Sequence, residues 1–279
     1  DEVDVGCGTA SITAEEVKAA LEGAGTDPIV INGDLTLTLD DFLTLGADHT
    51  ITIAPGATLT YRNGYSIRCT AHTLSIDGGG TVLFDESNQG YNVIGDGTLK
   101  LQNVTVEMRG GIIASCDIEV GTGATVVVDS RFNIPLQPLS KNLTVRGNIY
   151  IKDFLNSAID CLETLLIDGG TISIDGLGTA NVNKPVAVWL DGGTSSLEIT
   201  NGGRLTSTVA GGTVLLTHSS NVTGASGLFR TDTYTLTTDG QVEDGPADAT
   251  DALRAGVYKW TIGDSKFLWT SANYKTSKI

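Results

Sequence analysis

Short alternations of apolar and polar residues recur along most of the chain. Each copy holds two such alternations separated by a glycine-rich corner, as in residues 51–61, which read ITIAPGATLTY. Eight copies can be recognised, with starts 19 to 32 residues apart; they lie at 29–38, 51–61, 74–84, 99–108, 118–128, 143–152, 165–174 and 197–205. A repeat this short cannot bury its own apolar face, so this spacing is typical of a solenoid in which neighbouring repeats stack.

The alternation inside each copy has a period of two, which is the side-chain period of a β-strand. Ile51 and Ile53 therefore face the interior together with Leu59 and Tyr61. Glycine at the corner permits backbone angles that other residues avoid, so the chain can turn sharply there. The pattern predicts an all-β solenoid, a single parallel β-helix with a continuous apolar interior.

A short hydrogen-bonding residue precedes the apolar run of most copies. These residues are Thr50, Thr73, Thr98, Asp117, Asn142, Thr164 and Ser196. Such side chains bond nearby backbone, so we expect a stacked polar ladder at one corner. The same alignment would stack His49 on His72, but a metal site needs more ligands than two. A turn ladder is therefore favoured there and no metal site is predicted.

Both ends of the solenoid carry signals for covering elements. Thr13 and Glu16 have the spacing of a capping box, so a helix is predicted at about 13–22 as an N-terminal cap. Two apolar stretches around Gly-Asp-Ser predict a C-terminal hairpin region at 252–279. Residues 239–251 carry five acids and no bases and are interpreted as a linker or loop. Residues 1–238 would then form the β-helix with its cap.

The net charge of the chain limits the classes of molecule that it is expected to bind. The net charge is −16 and the isoelectric point about 4.4. Nucleic-acid binding needs clustered Lys and Arg, so no nucleic-acid partner is expected. No apolar run reaches the length of a membrane span, so no membrane insertion is expected. The chain starts at Asp1 without an initiator Met, which is compatible with a trimmed product and an extracellular or cell-surface location.

Three of the four cysteines, Cys69, Cys116 and Cys161, fall at nearly the same point of the repeat, in alternate copies. Alternate coils lie roughly 9.6 Å apart, beyond the reach of a disulfide. We therefore expect buried free thiols packed as small apolar groups. A disulfide framework, which the even number of cysteines would otherwise suggest, is disfavoured.

The capping helix followed by coils of about 22–25 residues resembles the right-handed parallel β-helix proteins of the pectin-lyase-like superfamily. The resemblance covers most of residues 12–220 and implies the right-handed sense of the coil. That superfamily contains enzymes that cleave glycans as well as bacterial surface proteins, adhesins and carbohydrate-binding modules. The hydrolase motifs are absent apart from one Asp-Asp pair at Asp40 and Asp41, which comes too early in the chain. An alternative, non-standard catalytic group for a polysaccharide lyase or glycoside hydrolase is Asp129, Arg131, Arg146, Lys152 and Asp153.

Long excursions between the copies, at 85–97, 129–142 and 175–196, are the preferred place for binding because loops on rigid scaffolds commonly carry function. Amide and aromatic side chains there suit sugars; the candidate ligand-binding residues are Asn88, Gln89, Tyr91, Arg131, Phe132, Asn133, Asn181, Asn183 and Trp189. The same side chains could instead pin the loops onto the coil. The sequence thus favours a non-catalytic scaffold or adhesin that contacts polysaccharide or glycoprotein glycans. No cofactor is expected, although acidic corners could hold calcium, and further modules of a longer surface chain could follow.

Overall fold

The computed structural model describes residues 11–62, 65–85, 91–109, 112–129, 136–137, 141–153, 157–174, 186–190, 196–207, 213–217, 229–231, 243–244, 256–262 and 265–271. One helix, α1 (Ala14–Glu22), precedes the strands of this described part. The first fourteen strands are β1 (Ile29–Ile31), β2 (Leu35–Thr38), β3 (Leu43–Thr44), β4 (His49–Ile53), β5 (Thr58–Arg62), β6 (Ile67–Arg68), β7 (Thr73–Asp77), β8 (Thr81–Phe84), β9 (Tyr91–Ile94), β10 (Thr98–Leu101), β11 (Thr105–Met108), β12 (Ile112–Ala114), β13 (Asp117–Val120) and β14 (Thr125–Asp129).

The other strands are β15 (Leu136–Gln137), β16 (Leu143–Val145), β17 (Asn148–Asp153), β18 (Ser157–Cys161), β19 (Thr164–Asp168), β20 (Thr171–Ile174), β21 (Val186–Leu190), β22 (Ser196–Thr200), β23 (Arg204–Ser207), β24 (Thr213–Thr217), β25 (Phe229–Thr231), β26 (Glu243–Asp244), β27 (Gly256–Ile262) and β28 (Ser265–Ser271).

Three long sheets run the length of the solenoid, and each takes every third strand of the chain. Among the described residues, the first sheet has nine strands, ordered β1-β4-β7-β10-β13-β16-β19-β22-β25, and the second has eight, β2-β5-β8-β11-β14-β17-β20-β23. The third sheet follows β3-β6-β9-β12-β15-β18-β21-β24 and then adds β28, β27 and β26. The strands of successive coils, from β1 to β25, pair in parallel in all three sheets, so the predicted parallel β-solenoid is confirmed.

The third sheet is the part of the coil that the alternation did not reveal. We expected two strands per repeat, but a third strand completes each of the first eight coils. The segments interpreted as long excursions contain β9, β15 and β21 of this sheet. Three of its strands, β3, β6 and β15, have only two residues, too few to show a period of two. The first sheet also gains a ninth strand, β25, beyond the eight predicted copies.

The interior has the composition that the alternation predicted. Ile51, Ile53, Leu59 and Tyr61 are all buried, and the corresponding residues of the copies from 74–84 to 165–174 are buried as well. Tyr61 meets Phe84 of the next coil edge-to-face, with ring centroids 5.6 Å apart. Stacked side chains of this kind bury each coil against the next, which is how a solenoid gains stability without a globular core.

The N-terminal cap forms as the sequence predicted. Glu16 donates its backbone N–H to the Thr13 hydroxyl at 3.2 Å, and its carboxylate accepts the Thr13 backbone N–H at 2.8 Å. The Thr13 hydroxyl also donates to this carboxylate, at 3.0 Å; the bond from the Thr13 backbone N–H, followed by that from the hydroxyl, lowers the pKa of Glu16. Val17 and Leu21 are fully buried and cover the first coil. Gly46 of that coil donates its N–H to the Leu21 carbonyl at 3.0 Å, so helix and coil are joined directly.

The C-terminal hairpin also forms, and it extends the third sheet. Strands β27 and β28 pair antiparallel across residues 263–264, and β28 pairs in parallel with β24. Of the acidic segment 239–251, only Glu243–Asp244 is described; it forms β26, which pairs with β27.

The three predicted thiols are confirmed as free and buried. Burial raises the pKa of Cys116 and of Cys161 to about 12 in each case, and raises that of Cys69 further. Cys69 follows β6, Cys116 follows β12 and Cys161 ends β18. In the third sheet β9 lies between β6 and β12, and β15 lies between β12 and β18, so one coil separates each thiol from the next. Cys7 lies outside the described residues.

Candidate functional site

One edge of the solenoid collects the segments that lead from the second sheet to the third. We call it the connection edge; it consists of 39–42, 63–66, 85–90, 109–111, 130–135, 154–156, 175–185 and 208–212. The strands that flank these segments stack in register in each sheet. The segments therefore start and end one above another along the rod, at the strand spacing of roughly 4.8 Å.

Most sequence-predicted ligand residues belong to the connection edge. Asn88, Gln89, Arg131, Phe132, Asn133, Asn181 and Asn183 are in its segments but lie outside the described residues. Tyr91 is the first residue of β9, directly after segment 85–90. Trp189 lies in β21, in register with Asp160 on one side and Leu216 on the other.

An exposed aromatic pair on this edge was missed from the sequence. Phe42 and Tyr65 are each 40% exposed, and their rings meet edge-to-face with centroids 5.5 Å apart. The Arg68 guanidinium lies over the Phe42 ring, 3.6 Å from its centroid. We call these three residues the aromatic patch. Phe42 and Tyr65 are separated by one coil length in the sequence. This spacing is the signal from which their stacking on neighbouring coils could have been predicted.

The stacking interaction holds Arg68 in place, since guanidinium groups are attracted to aromatic faces. Within the described part of the chain, no carboxylate lies within ion-pair distance of Arg68. Asp41 lies beside the patch, and its Oδ1 accepts the Phe42 backbone N–H at 2.7 Å. The patch therefore combines an apolar ring surface with a fixed donor and a nearby carboxylate.

The alternative catalytic group is only partly brought together. A bulge between Val128 and Asp129 sets Asp129 in register with Asp153 on the next coil. Lys152 precedes Asp153 and is exposed, whereas Arg131 lies outside the described residues. Arg146 precedes β17, at the opposite end of that strand from Asp153, roughly 20 Å away by the rise of a strand.

Arg146 has a structural partner at its own corner. Its Nε donates to Asp168 Oδ2 at 2.8 Å, and Asp168 Oδ1 accepts Asn201 Nδ2 at 2.5 Å and the Thr200 hydroxyl at 3.4 Å. The Asn201 bond, followed by the Arg146 bond, lowers the pKa of Asp168. Arg146 and Asp129 belong to adjacent coils, as the sequence indicated, but they lie at opposite ends of the neighbouring strands β14 and β17.

The expected stacking of His49 on His72 is wrong. In the pairing of β4 with β7, Ile51 is in register with Ile76 and His49 with Leu74. The register differs from the expected one because the corner 54–57 holds more residues than the corresponding corner 78–80 of the next coil. His49 is consequently buried in the apolar interior, with Nε2 donating to the Gly23 carbonyl at 3.1 Å. His72 stays on the surface, 3.6 Å from Asp48.

The polar ladder forms in part. Asp117 Oδ1 accepts the Asn142 backbone N–H at 2.9 Å, and Asn142 Oδ1 accepts that of Thr164 at 3.2 Å. The same difference in register removes Thr50 from the ladder, since Thr50 pairs with Ser75 instead of Thr73. Asp48 takes its place by accepting the Thr73 backbone N–H at 2.8 Å.

Comparison of the chain with protein-family models, with curated proteins and with solved structures found no match. Among the described residues, no helix is both long and apolar enough to cross a membrane. In the same residues, no three His, Cys, Asp or Glu side chains are grouped so that they could hold a metal ion.

Proposed function

We propose that this protein is a non-catalytic β-helix scaffold or adhesin that contacts glycans through the connection edge. The observation that carries the proposal is the alignment of that edge. The strands that flank the candidate binding segments stack coil upon coil, so these segments leave the second sheet and enter the third at successive levels along one line of the rod. An extended polymer such as a polysaccharide can occupy several points of such a line at once, and weak contacts in series give useful avidity.

The aromatic patch supports the same proposal. Exposed aromatic rings offer an apolar face to the C–H side of a sugar, and Phe42 and Tyr65 lie on the connection edge. A secreted or cell-surface location fits this role, as does membership of the pectin-lyase-like superfamily. Both are part of the proposal, together with a bacterial source, a right-handed coil and the presence of further modules in a longer surface chain.

The test is native affinity electrophoresis in gels cast with plant, mucin and microbial polysaccharides, with and without calcium. Retardation without loss of polymer is the expected result. A requirement for calcium would add the ion as a cofactor. Unchanged mobility in all gels would contradict glycan binding and leave a scaffold with a protein partner.

A glycan-cleaving enzyme is the second candidate, favoured by the register of Asp129 and Asp153. Retaining glycosidases use two carboxyl groups roughly 5 Å apart, close to the spacing of neighbouring strands. Staining the same gels for residual polymer distinguishes the two functions, because an enzyme leaves a cleared zone around its band. A zone that Asp129→Asn abolishes, while the fold is retained, would replace the non-catalytic proposal.

A further inference from the structure

The geometry points to a binding site for an uncharged hexopyranose at the aromatic patch, with the sugar stacked on Tyr65 and its hydroxyls bonded by Arg68 and Asp41. This inference rests on the proposed glycan-binding function and names its position and sugar class. It concerns the first two coils, whereas the binding residues predicted from the sequence belong to later coils.

Tyr65 supplies the ring surface. Tyr65 is 40% exposed although its ring is in contact with Phe42, which leaves room for a ligand to reach the ring. The edge-to-face contact also fixes the Tyr65 ring, because the two rings are almost perpendicular, at 85°. A ring that is already fixed loses little side-chain entropy when a ligand binds.

Arg68 supplies donors in a fixed position. Stacking on Phe42 at 3.6 Å immobilises the guanidinium, and its N–H groups are not used by a carboxylate in the described part of the chain. Strand β6 anchors the residue, with Arg68 in register with Thr44 and Ile94. The planar guanidinium group can donate two parallel bonds, which suits a pair of neighbouring hydroxyl oxygens.

Asp41 supplies the complementary acceptor. Leu43 is in register with Ile67, so extending the pairing by two residues places Asp41 beside Tyr65. Only one of its carboxylate oxygens accepts the Phe42 N–H, which leaves capacity for a sugar hydroxyl. The ring of Tyr65 is thus flanked by a hydrogen-bond donor and an acceptor. Sugar hydroxyl groups can both donate and accept, so they can bond to both.

Charge selects an uncharged sugar over an acidic one. Asp40 and Asp41 are both exposed next to the patch and outweigh the single positive charge of Arg68, and the whole chain carries a net charge of −16. An acidic sugar would meet like charges within a Debye length of about 8 Å at physiological salt. A neutral sugar avoids that repulsion and still uses the polar groups.

The experiment measures apparent Kd by affinity electrophoresis of purified full-length protein and variants. The neutral probes are hydroxyethylcellulose, mannan and galactan, and the anionic probes are polygalacturonate and hyaluronate. Tyr65→Ala should raise Kd for the neutral polymer that retards the wild type most by about tenfold, the size expected for a lost aromatic contact. Tyr65→Phe, which keeps the ring, should stay within about twofold on the same reasoning, and Arg68→Lys should weaken binding.

Tyr150→Ala is the matched control. Tyr150 is 39% exposed, but it lies in β17, four strands along the second sheet from the β5 strand that precedes Tyr65. Its removal should leave Kd unchanged, and thermal unfolding should show that each variant keeps the fold. Glycan binding that is equal in wild type and Tyr65→Ala, or confined to the anionic polymers, would overturn this inference and leave the proposed function in place. Absence of retardation for the wild type in all gels would overturn both.

Discussion

At the scale of single residues, the corner around Asp168 shows how a polar side chain joins coils. Arg146, Asp168 and Asn201 belong to three successive coils, and Asp168 bonds the other two. The side chain of Asp168 is only 21% exposed, whereas both members of the Lys100–Glu119 pair are more than 40% exposed. Exposed ion pairs contribute little to the free energy of unfolding because water already solvates both charges.

Replacing Asp168 with Asn should therefore lower the free energy of unfolding by about 1 kcal/mol at neutral pH. The pKa of Asp168 is lowered by folding, so its contribution is complete above the unfolded value of about 3.9 and is lost as pH falls through the folded value. Urea unfolding between pH 7 and pH 3 should show the difference between wild type and variant shrinking below about pH 4. Glu119→Gln is the control, with a much smaller difference at neutral pH; an equal loss in both variants would contradict the argument.

Predictions about single residues succeeded where the local sequence pattern determines the position of the residue. They failed where that position depends on the register between strands of neighbouring coils. The inward residues, the capping box and the buried thiols depend on positions inside one copy, so they could be predicted. The placement of His49 depends on the length of a corner, which shifts one strand against the next by two residues. Arg146 was named in the alternative catalytic group together with Asp153, but the length of β17 separates the two residues.

At the scale of elements, the corners between the first and second sheets determine how closely coils can stack. A Cβ added to Gly170 would lie 2.6 Å from the carbonyl oxygens of both Gly147 and Val145, one coil away. These are backbone atoms held in the ladder; the Gly147 carbonyl, for example, accepts the Thr171 N–H at 2.9 Å. The contact cannot be relieved by turning a side chain.

We therefore expect Gly170→Ala to destabilise the fold by about 1–3 kcal/mol, the usual cost of overpacking. Gly33→Ala is the matched control, since a Cβ there meets nothing within 4 Å. That control should be neutral, or more stable by up to about 1 kcal/mol because the unfolded chain loses freedom. Denaturant unfolding of the two variants measures the difference. Similar stability of both variants would show that the coils can separate locally.

Strand length explains part of which elements could be predicted. Strands of four or five residues with clear alternation, such as β7 and β8, were predicted close to their observed bounds. The third sheet was hidden because β3, β6 and β15 are two residues each, and because β21 lies within a long interruption. This omission also hid the aromatic patch, whose Phe42 and Arg68 are brought together by β3 and β6.

At the scale of the whole molecule, the solenoid needs a cover because its first coil would otherwise present apolar side chains and unpaired strands to water. Strands β1, β2 and β3 each pair on one side only within their sheets. Helix α1 covers this end with Val17 and Leu21, both fully buried. An uncovered strand edge is a template for association with another chain.

Leu21→Asp should release the cap, because a carboxylate cannot remain in this apolar contact without a partner. We expect a loss of about 2–5 kcal/mol from the lost packing, which would loosen α1 before the later coils. The exposed first coil should then make the protein associate as its concentration rises, measured by sedimentation velocity across a hundredfold range. Ala19→Asp adds the same charge to the exposed face of the same helix and should leave the association state unchanged. If Leu21→Asp sediments as the wild type does at every concentration, α1 is not what protects this end, and protection must come from the first coil itself.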